Sequence, residues 1–395
     1  MKSSKPGVLL PVFLLALGGF GFGIQQVRNF NRTAEIQSVC RLIYDKHYLG
    51  ADELKAWYGQ CLKVVRNSDD LVPDLKKHLS KVPSSHLDIF TPPEHRELWE
   101  GKAKYTGLKF RGVNGRIILY DIHDAQNIKV PLGSELLAID GEPVLGIEGL
   151  EQTEGNYTFG LPNNKEIYVK VSLKDLEVDR SPTLKRIKPG VGHLKIETFR
   201  NNIFSRTWGE VAMDLKKYRK IVVDLRGNWG GGFSSLMKAL SPFLCDEPSA
   251  GKLISPRVDS TKAIDFNELS DQEELLGQIG KVKTIFLIAT EKNNCFKGDV
   301  EVLVDENTRS VSEMFAAALK NRGHVKIKGQ RTSGAVVLAV WYDLEFLGVD
   351  FSLSIPEAIY ETPYGEVLEG AGLEPDQILF YDLAEARVGM DSWLQ

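Results

Sequence analysis

The chain has 395 residues, more than one ordinary hydrophobic core accommodates, so two or three domains are expected. Hydrophobic residues make up 43% and charged residues 26%, the balance of a folded globular protein. A net charge of −4 supplies no electrostatic reason for nucleic acid or an anionic membrane surface as partner, and no repeat, low-complexity tract or block of like charge is present.

The first 28 residues differ from the rest. Lys2 and Lys5 precede an uncharged run over 7–24, the order of a positive n-region and an apolar h-region. The run is at the lower edge of what spans a bilayer, and Gly21-Phe22-Gly23 is the nearest thing to a small-x-small cleavage site. A cleaved signal peptide and an uncleaved signal anchor both fit. In either case the remainder is expected outside the cytoplasm, in the periplasm or cell envelope or secreted. No cysteine directly follows the run, which leaves a lipoprotein anchor unsupported. Cys40, Cys61, Cys245 and Cys295 form neither a C-x-x-C pair nor a metal-ligand spacing. In an oxidising compartment two bridges are allowed, and buried free thiols fit as well.

Residues 29–100 read as a helical region, with apolar residues at helical spacing over 34–44, 51–65 and 71–79. Pro92-Pro93 is expected to stop that pattern. Short strands follow over 104–178, including 116–120, 135–139 and 167–173, with Asp140-Gly141 as a tight turn between strands. From 185 to 395 strands and helices alternate. Strands are expected at 191–196, 220–225, 284–288, 300–304, 325–327 and 336–340, and helices at 204–217, 234–244 and 310–320. This alternation predicts an α/β domain on a largely parallel sheet.

Three segments could carry chemistry. Asp224-Leu-Arg-Gly-Asn-Trp-Gly-Gly-Gly232 lies between a buried strand and a helix, where glycines leave backbone N–H groups exposed to negative charge. It lacks the Gly-Lys-Ser/Thr ending of a P-loop and the G-x-G-x-x-G spacing of a dinucleotide site. Asn307-Thr-Arg-Ser-Val-Ser-Glu313 opens a helix. By itself, Ser310 with Glu313 reads as a capping box. Gly329-Gln-Arg-Thr-Ser-Gly-Ala335 is a third glycine-bounded loop.

Together these segments resemble the C-terminal processing (tail-specific) serine peptidase family, over about residues 70–385. The first matches the family's Asp-Leu-Arg-x-Asn-x-Gly-Gly, with Trp229 where proline is usual, and follows a G-Y-I-x-I-like strand, Val191-Gly-His-Leu-Lys-Ile196. The second matches Ser-x-Ser-Glu, whose first serine, Ser310 here, is the nucleophile. Ile355 to Gly365 resembles a further family stretch, I-P-x-x-x-x-x-T-P-x-G. In the third segment Ala335 stands where the family has the lysine of its Ser–Lys dyad, so that dyad is absent. Ser85-His86 and Glu369 are instead similar to the Ser-His pair and distant glutamate of the tricorn protease core, a subgroup without the lysine. The resemblance implies a ClpP/crotonase-like β/α core. It also implies Ser310 as nucleophile, His86 as base, Ser85 and Glu369 as its support, and amides at Gly230, Gly231 and Val311 as oxyanion hole. Histidine suits that task because its free pKa lies near neutrality. No metal or organic cofactor is implied.

Tyr105-Thr-Gly-Leu-Lys-Phe110, with Gly133 to Val144, resembles a PDZ domain inserted before the catalytic core. Gly107 and Leu108 match the family's carboxylate-binding loop, and Lys109 replaces its second glycine. Protein or peptide substrates captured by their C-terminal tails are then expected. His47, His78, His95, His123, His193 and His324 match no motif and read as solvated, as does Glu366. Two rival functions share the fold: an inactive tail-binding protein and a carrier of hydrophobic small molecules.

Overall fold

In the computed structural model the described residues are 38–67, 71–100, 104–123, 129–147, 149–175, 179–245, 248–269, 272–289, 295–346 and 349–394. The signal or anchor reading of residues 1–28 lies outside them. Among the described residues no helix is long and apolar enough to cross a membrane.

Ile221, Val222 and Val223 are apolar on both faces of one strand, Lys220–Asp224, and must be covered on both sides. The strand is central in a sheet of six. It runs parallel to Val191–Lys195 on one side and to Asp299–Val304 on the other. Val325–Gly329 and Gln377–Ile378 extend the parallel set, and Thr183–Lys188 adds an antiparallel edge. Ile221, Val223, Val300 and Val302 share one core with the helices Phe233–Leu240 and Val311–Leu319. All nine residues of the second helix are buried. Val222 and Leu303 point the other way and pack with Tyr381, Trp393, Val113 and Ile118.

Val113 and Ile118 belong to a separate antiparallel sheet built from Leu108–Val113, Arg116–Ile122, Glu135–Ile139, Gly155–Gly160 and Glu166–Val171. This sheet has its own core around Leu108, Leu119, Tyr157 and Phe159. Asp140 and Gly141 adopt φ of 50° and 86°, the paired positive values of the expected tight turn.

The N-terminal helices Ala51–Asn67 and Leu71–Leu79 join the α/β region through a third sheet. Its spine is the 13-residue strand Val349–Glu361. Asp88–Phe90 pairs antiparallel with Ser352 to Ser354, and Leu353 and Ile355 enter the helical core beside Ile43, Leu54, Leu75 and Ile89. The chain entering Asp88 is thereby held against the α/β domain. Pro92-Pro93 does not stop a helix but starts one, Pro92–Glu100. Proline lacks only an N–H that a first helical turn leaves unpaired, and Thr91 gives its amide and hydroxyl to Glu94 Oε2 at 2.7 and 2.8 Å. The strand expected at 336–340 continues to Phe346 as a hairpin with Val349–Glu361.

Both cysteine pairs are bridged, Cys40 to Cys61 and Cys245 to Cys295. The second closes 50 residues, a loop for which chain entropy gives about 4 kcal/mol of stabilisation. Cys245→Ser with Cys295→Ser is expected to lower unfolding free energy by about 2–4 kcal/mol in urea titration. An unchanged midpoint would contradict it.

Candidate active site

Ser310 sits at the N-terminus of the Val311–Leu319 helix, just beyond the C-terminal end of the parallel strand Asp299–Val304. Its backbone is at φ 57°, ψ −124°, a region that residues with a Cβ avoid. Among the described residues six non-glycine residues have positive φ. Four are Asn or Asp, which tolerate it in turns, and the other two are His86 and Ser310. Strain of this kind costs about 1–3 kcal/mol per residue and persists only where surrounding contacts impose it.

For Ser310 the contacts centre on Glu313. The Ser310 amide donates to Glu313 Oε2 at 3.0 Å, the carboxylate half of the expected capping box. Glu313 is fully buried and also accepts from the amides of Gly334 and Ala335, at 2.8 and 3.0 Å, and from the Thr332 hydroxyl. Burial raises its pKa and these donors oppose the rise. The loop ending at Ala335 thus serves to clamp the serine turn.

Ser85 and His86 lie just before the Asp88–Phe90 strand, on the loop that strand holds in place. Ser85 Oγ is 2.7 Å from His86 Nδ1 and donates to Glu369 Oε2 at 3.0 Å. Glu369 also accepts from the amides of Ser85, at 2.6 Å, and Val336, at 2.7 Å. A carboxylate has no proton to give, so the single Ser85 hydroxyl proton goes to Glu369. Ser85 Oγ must then accept from His86 Nδ1–H. This fixes the neutral imidazole as the tautomer with its lone pair on Nε2. The loss of hydration beside the protein wall, followed by the positive charge of Arg309, pushes the His86 pKa down to about 4. The residue is nevertheless exposed to an open cleft, which limits how far hydration is lost.

The Gly230-Gly231 turn abuts the start of the Ser310 helix. A Cβ on Gly230 would stand 2.9 Å from Ser310 Cβ and 3.1 Å from the Val311 amide nitrogen. The three amides expected to face an oxyanion are not equivalent. Gly230 N–H already donates to Asn228 Oδ1 at 2.9 Å, so it is committed within the turn. The amides of Gly231 and Val311 have no acceptor among the described residues.

His86, Ser310, Val311, Gly230 and Gly231 line one cleft of about 980 Å³. Ser85 and Glu369 stand behind His86 rather than on the cleft wall. Gly107 and Leu108 are not on the wall either. The Leu108 amide donates to Thr106 Oγ1 at 3.2 Å and the Gly107 carbonyl accepts from His123 N–H at 2.7 Å. Lys109 does line the cleft and pairs with Glu197 at 2.6 Å, tying the antiparallel sheet to the α/β domain.

Three histidines read as solvated are placed otherwise. His47 and His78 are buried, the latter stacked on Trp57 with Nε2 3.2 Å from its carbonyl oxygen. His193 lines the cleft with Nε2 3.1 Å from Asp224 Oδ2. Asp224 also holds Arg226, whose guanidinium reaches Asp391 at 2.8 Å. That ion network fixes the strand end from which the glycine turn departs. Arg309 and Trp229 are cleft residues the motif reading passed over, although Trp229 stands where proline is usual.

Residues 190–379 match the family model "Peptidase family S41". A probable CtpA-like serine protease of Staphylococcus aureus is 27% identical over 241 residues, which is 60% of this chain but only 42% of that relative's length. A carboxy-terminal-processing protease of Bartonella bacilliformis is 22% identical over 370 residues, covering 85% of this chain and 77% of the relative. Among solved structures, mature CPAF superposes with a TM-score of 0.63 at 14% identity, covering 93% of this chain and 96% of that one. The photosystem II D1 C-terminal processing protease gives 0.56 at 16% identity, with 91% and 96% covered. The fold of these peptidases is therefore shared along most of the chain. With the motif-bearing α/β region matching the family model, the chain belongs to peptidase family S41.

Proposed function

We propose that this protein is a serine endopeptidase of the Ser-His-Glu type. The observation that supports the reading most is the relay from Glu369 through Ser85 to His86 Nδ1, which leaves Nε2 basic in the cleft that also holds Ser310. Ser310 Oγ attacks the peptide carbonyl carbon as its proton passes to His86 Nε2. The carbonyl oxygen becomes an oxyanion, which accepts from the Gly231 and Val311 amides in this reading. His86 returns the proton to the leaving amine as the C–N bond breaks. A water then gives its proton to the same nitrogen while its oxygen attacks the acyl-Ser310 ester, freeing the acid and the serine. Ser85 and Glu369 orient the ring and stabilise its cationic form.

The test is a fluorophosphonate probe on the purified chain. Covalent label on Ser310, lost in Ser310→Ala, is the expected result. A folded wild-type chain that takes no label anywhere sinks the peptidase reading and leaves the tail-binding one.

We assign residues 104–178 the role of a PDZ-like tail-binding unit, 29–100 that of a helical region and 185–395 that of the peptidase domain. Gly107 remains the residue proposed for the tail, while the Leu108 amide, proposed with it from the motif, is already committed to Thr106 Oγ1. Amidating a substrate's C-terminus is expected to weaken its binding about tenfold, since a hydrogen-bonded charge contributes about 1.5–3 kcal/mol. Equal dissociation constants for acid and amide by fluorescence anisotropy would remove the role. The two disulfides support export to an oxidising compartment.

A further inference from the structure

The cleft wall carries many charges, and most of its cations are matched. Lys76, Lys109, Arg111, Arg180, Lys195 and Arg226 each sit on a carboxylate, at separations from 2.6 to 3.5 Å. Arg200 and Arg309 line the same wall without an ion pair among the described residues. Both are half-buried. Arg309 Nε is shielded from solvent with no hydrogen-bond acceptor, and the guanidinium lies over Trp229, 5.4 Å from the ring centre. Trp229 is itself 66% exposed, a large apolar surface open to the cleft. The acids just before Arg309 are otherwise placed. Asp305 holds the Gly227 amide and the Thr308 hydroxyl, and Glu306 is exposed.

Their position matters more than their number. Gly231 is packed on Arg200, with a built Cβ only 2.4 Å from the Arg200 nitrogen, and Gly230 is packed on Arg309, with a built Cβ 3.2 Å from its carbonyl oxygen. The backbones of Arg200 and Arg309 therefore flank the glycine turn, Arg309 directly precedes Ser310, and both residues line the cleft. A half-buried guanidinium that makes no ion pair favours an arriving anion, and its planar fork matches a carboxylate. Arg200 loses hydration on burial and then feels the like charge of Arg180, with Glu97 acting in the opposite sense from beyond ion-pair distance, so an arriving anion would still relieve it.

Resting on the peptidase reading, we propose that Arg309 and Arg200 select peptide segments bearing a carboxylate next to the bond that lies across Ser310, with Trp229 as the platform for that residue's stem. The carboxylate has two sources, an internal Asp or Glu side chain or the free C-terminus of a short substrate.

The experiment uses the full chain and fluorescein-labelled dodecapeptides carrying one Glu at scanned positions, each with its Glu→Gln counterpart, and a third set with amidated C-termini. Both kcat/KM for the wild type and dissociation constants in the Ser310→Ala background are measured. At the best position the Glu peptide is expected to exceed its Gln counterpart about tenfold in both readouts, as a charge-assisted contact requires. Arg309→Gln should reduce that ratio to near unity and Arg309→Glu should invert it, with Arg200→Gln acting at a second position. If the acid–amide ratio collapses instead of the Glu–Gln ratio, the carboxylate is the substrate's C-terminus. Ratios that neither arginine substitution moves, or that are unity at every position, overturn the proposal. Cleavage without selectivity leaves the peptidase reading standing, and selective binding without cleavage leaves the recognition site standing.

Discussion

His86→Ala is expected to lower kcat/KM for peptide hydrolysis by about a thousandfold while the fold stays intact, the scale of a lost general base. Ala335 occupies the place of the family's lysine, so no second base is supplied there. Full activity in the His86→Ala chain would end the assignment. The pH profile adds a signature that simple damage does not give. The active form is neutral His86, whose pKa is lowered toward about 4 by desolvation and then by Arg309. Activity should stay level as pH falls through 6.5, the ordinary histidine value, and drop only between there and about 4. The open cleft places the midpoint above the lower bound. Arg309→Gln removes a positive neighbour and should move the midpoint upward. An acid limb at or above 6.5 in the wild type would contradict this environment. Stability follows the same window: the unfolded chain takes up the proton near 6.5 and the folded chain only at lower pH, so stability falls as pH drops. Circular dichroism at each pH separates the two losses. Glu369→Gln should act in the same direction more weakly, since it keeps an acceptor for Ser85 but removes the charge proposed to support the imidazolium.

What the sequence reveals of this site is what lies in contiguous stretches. Ser310 and Glu313 are three residues apart, and the glycine turn follows a strand whose apolar run is plain. Their shared location follows from two adjacent parallel strands, Lys220–Asp224 and Asp299–Val304, both ending at the same sheet edge. His86 is legible only as a motif. What carries it to Ser310 is the three-residue strand Asp88–Phe90, too short to register as a period, pairing with a strand some 260 residues later in the chain. The occupancy of the Gly230 amide was out of reach, because it depends on which way the Asn228 side chain turns. So was the burial of His47 and His78, since a histidine surrounded by core reads locally like one in water. Arg309 and Trp229 were visible as residues but not as a pair, because a cation over a ring five ångströms away is a tertiary fact.

Gly231→Ala is expected to reduce turnover by about a hundredfold to a thousandfold, the range for losing one oxyanion donor, and to destabilise the fold as well. A methyl group there would stand 2.2 Å from the Phe199 carbonyl carbon and 2.4 Å from the Arg200 nitrogen, at φ 147°. Both are backbone atoms that cannot rotate away, so the turn itself must shift. Phe199 and Gly232 are joined across it, Gly232 N–H donating to the Phe199 carbonyl at 2.8 Å, and that contact is expected to open. The Gly231 amide would move with the turn, away from the oxyanion position proposed for it and the Val311 amide. Gly227→Ala is the matched control. Gly227 also has a positive φ, 70°, and lies in the same glycine-rich segment, but a Cβ there meets nothing within 4 Å. Its cost should be about 1–2 kcal/mol of backbone strain, seen in thermal unfolding, with turnover at saturating substrate close to wild type. The contrast between the two alanines isolates amide position from glycine loss. If Gly231→Ala is folded by circular dichroism and turns over as fast as Gly227→Ala, the Gly231 amide does not stabilise the transition state. The oxyanion would then rest on Val311 alone.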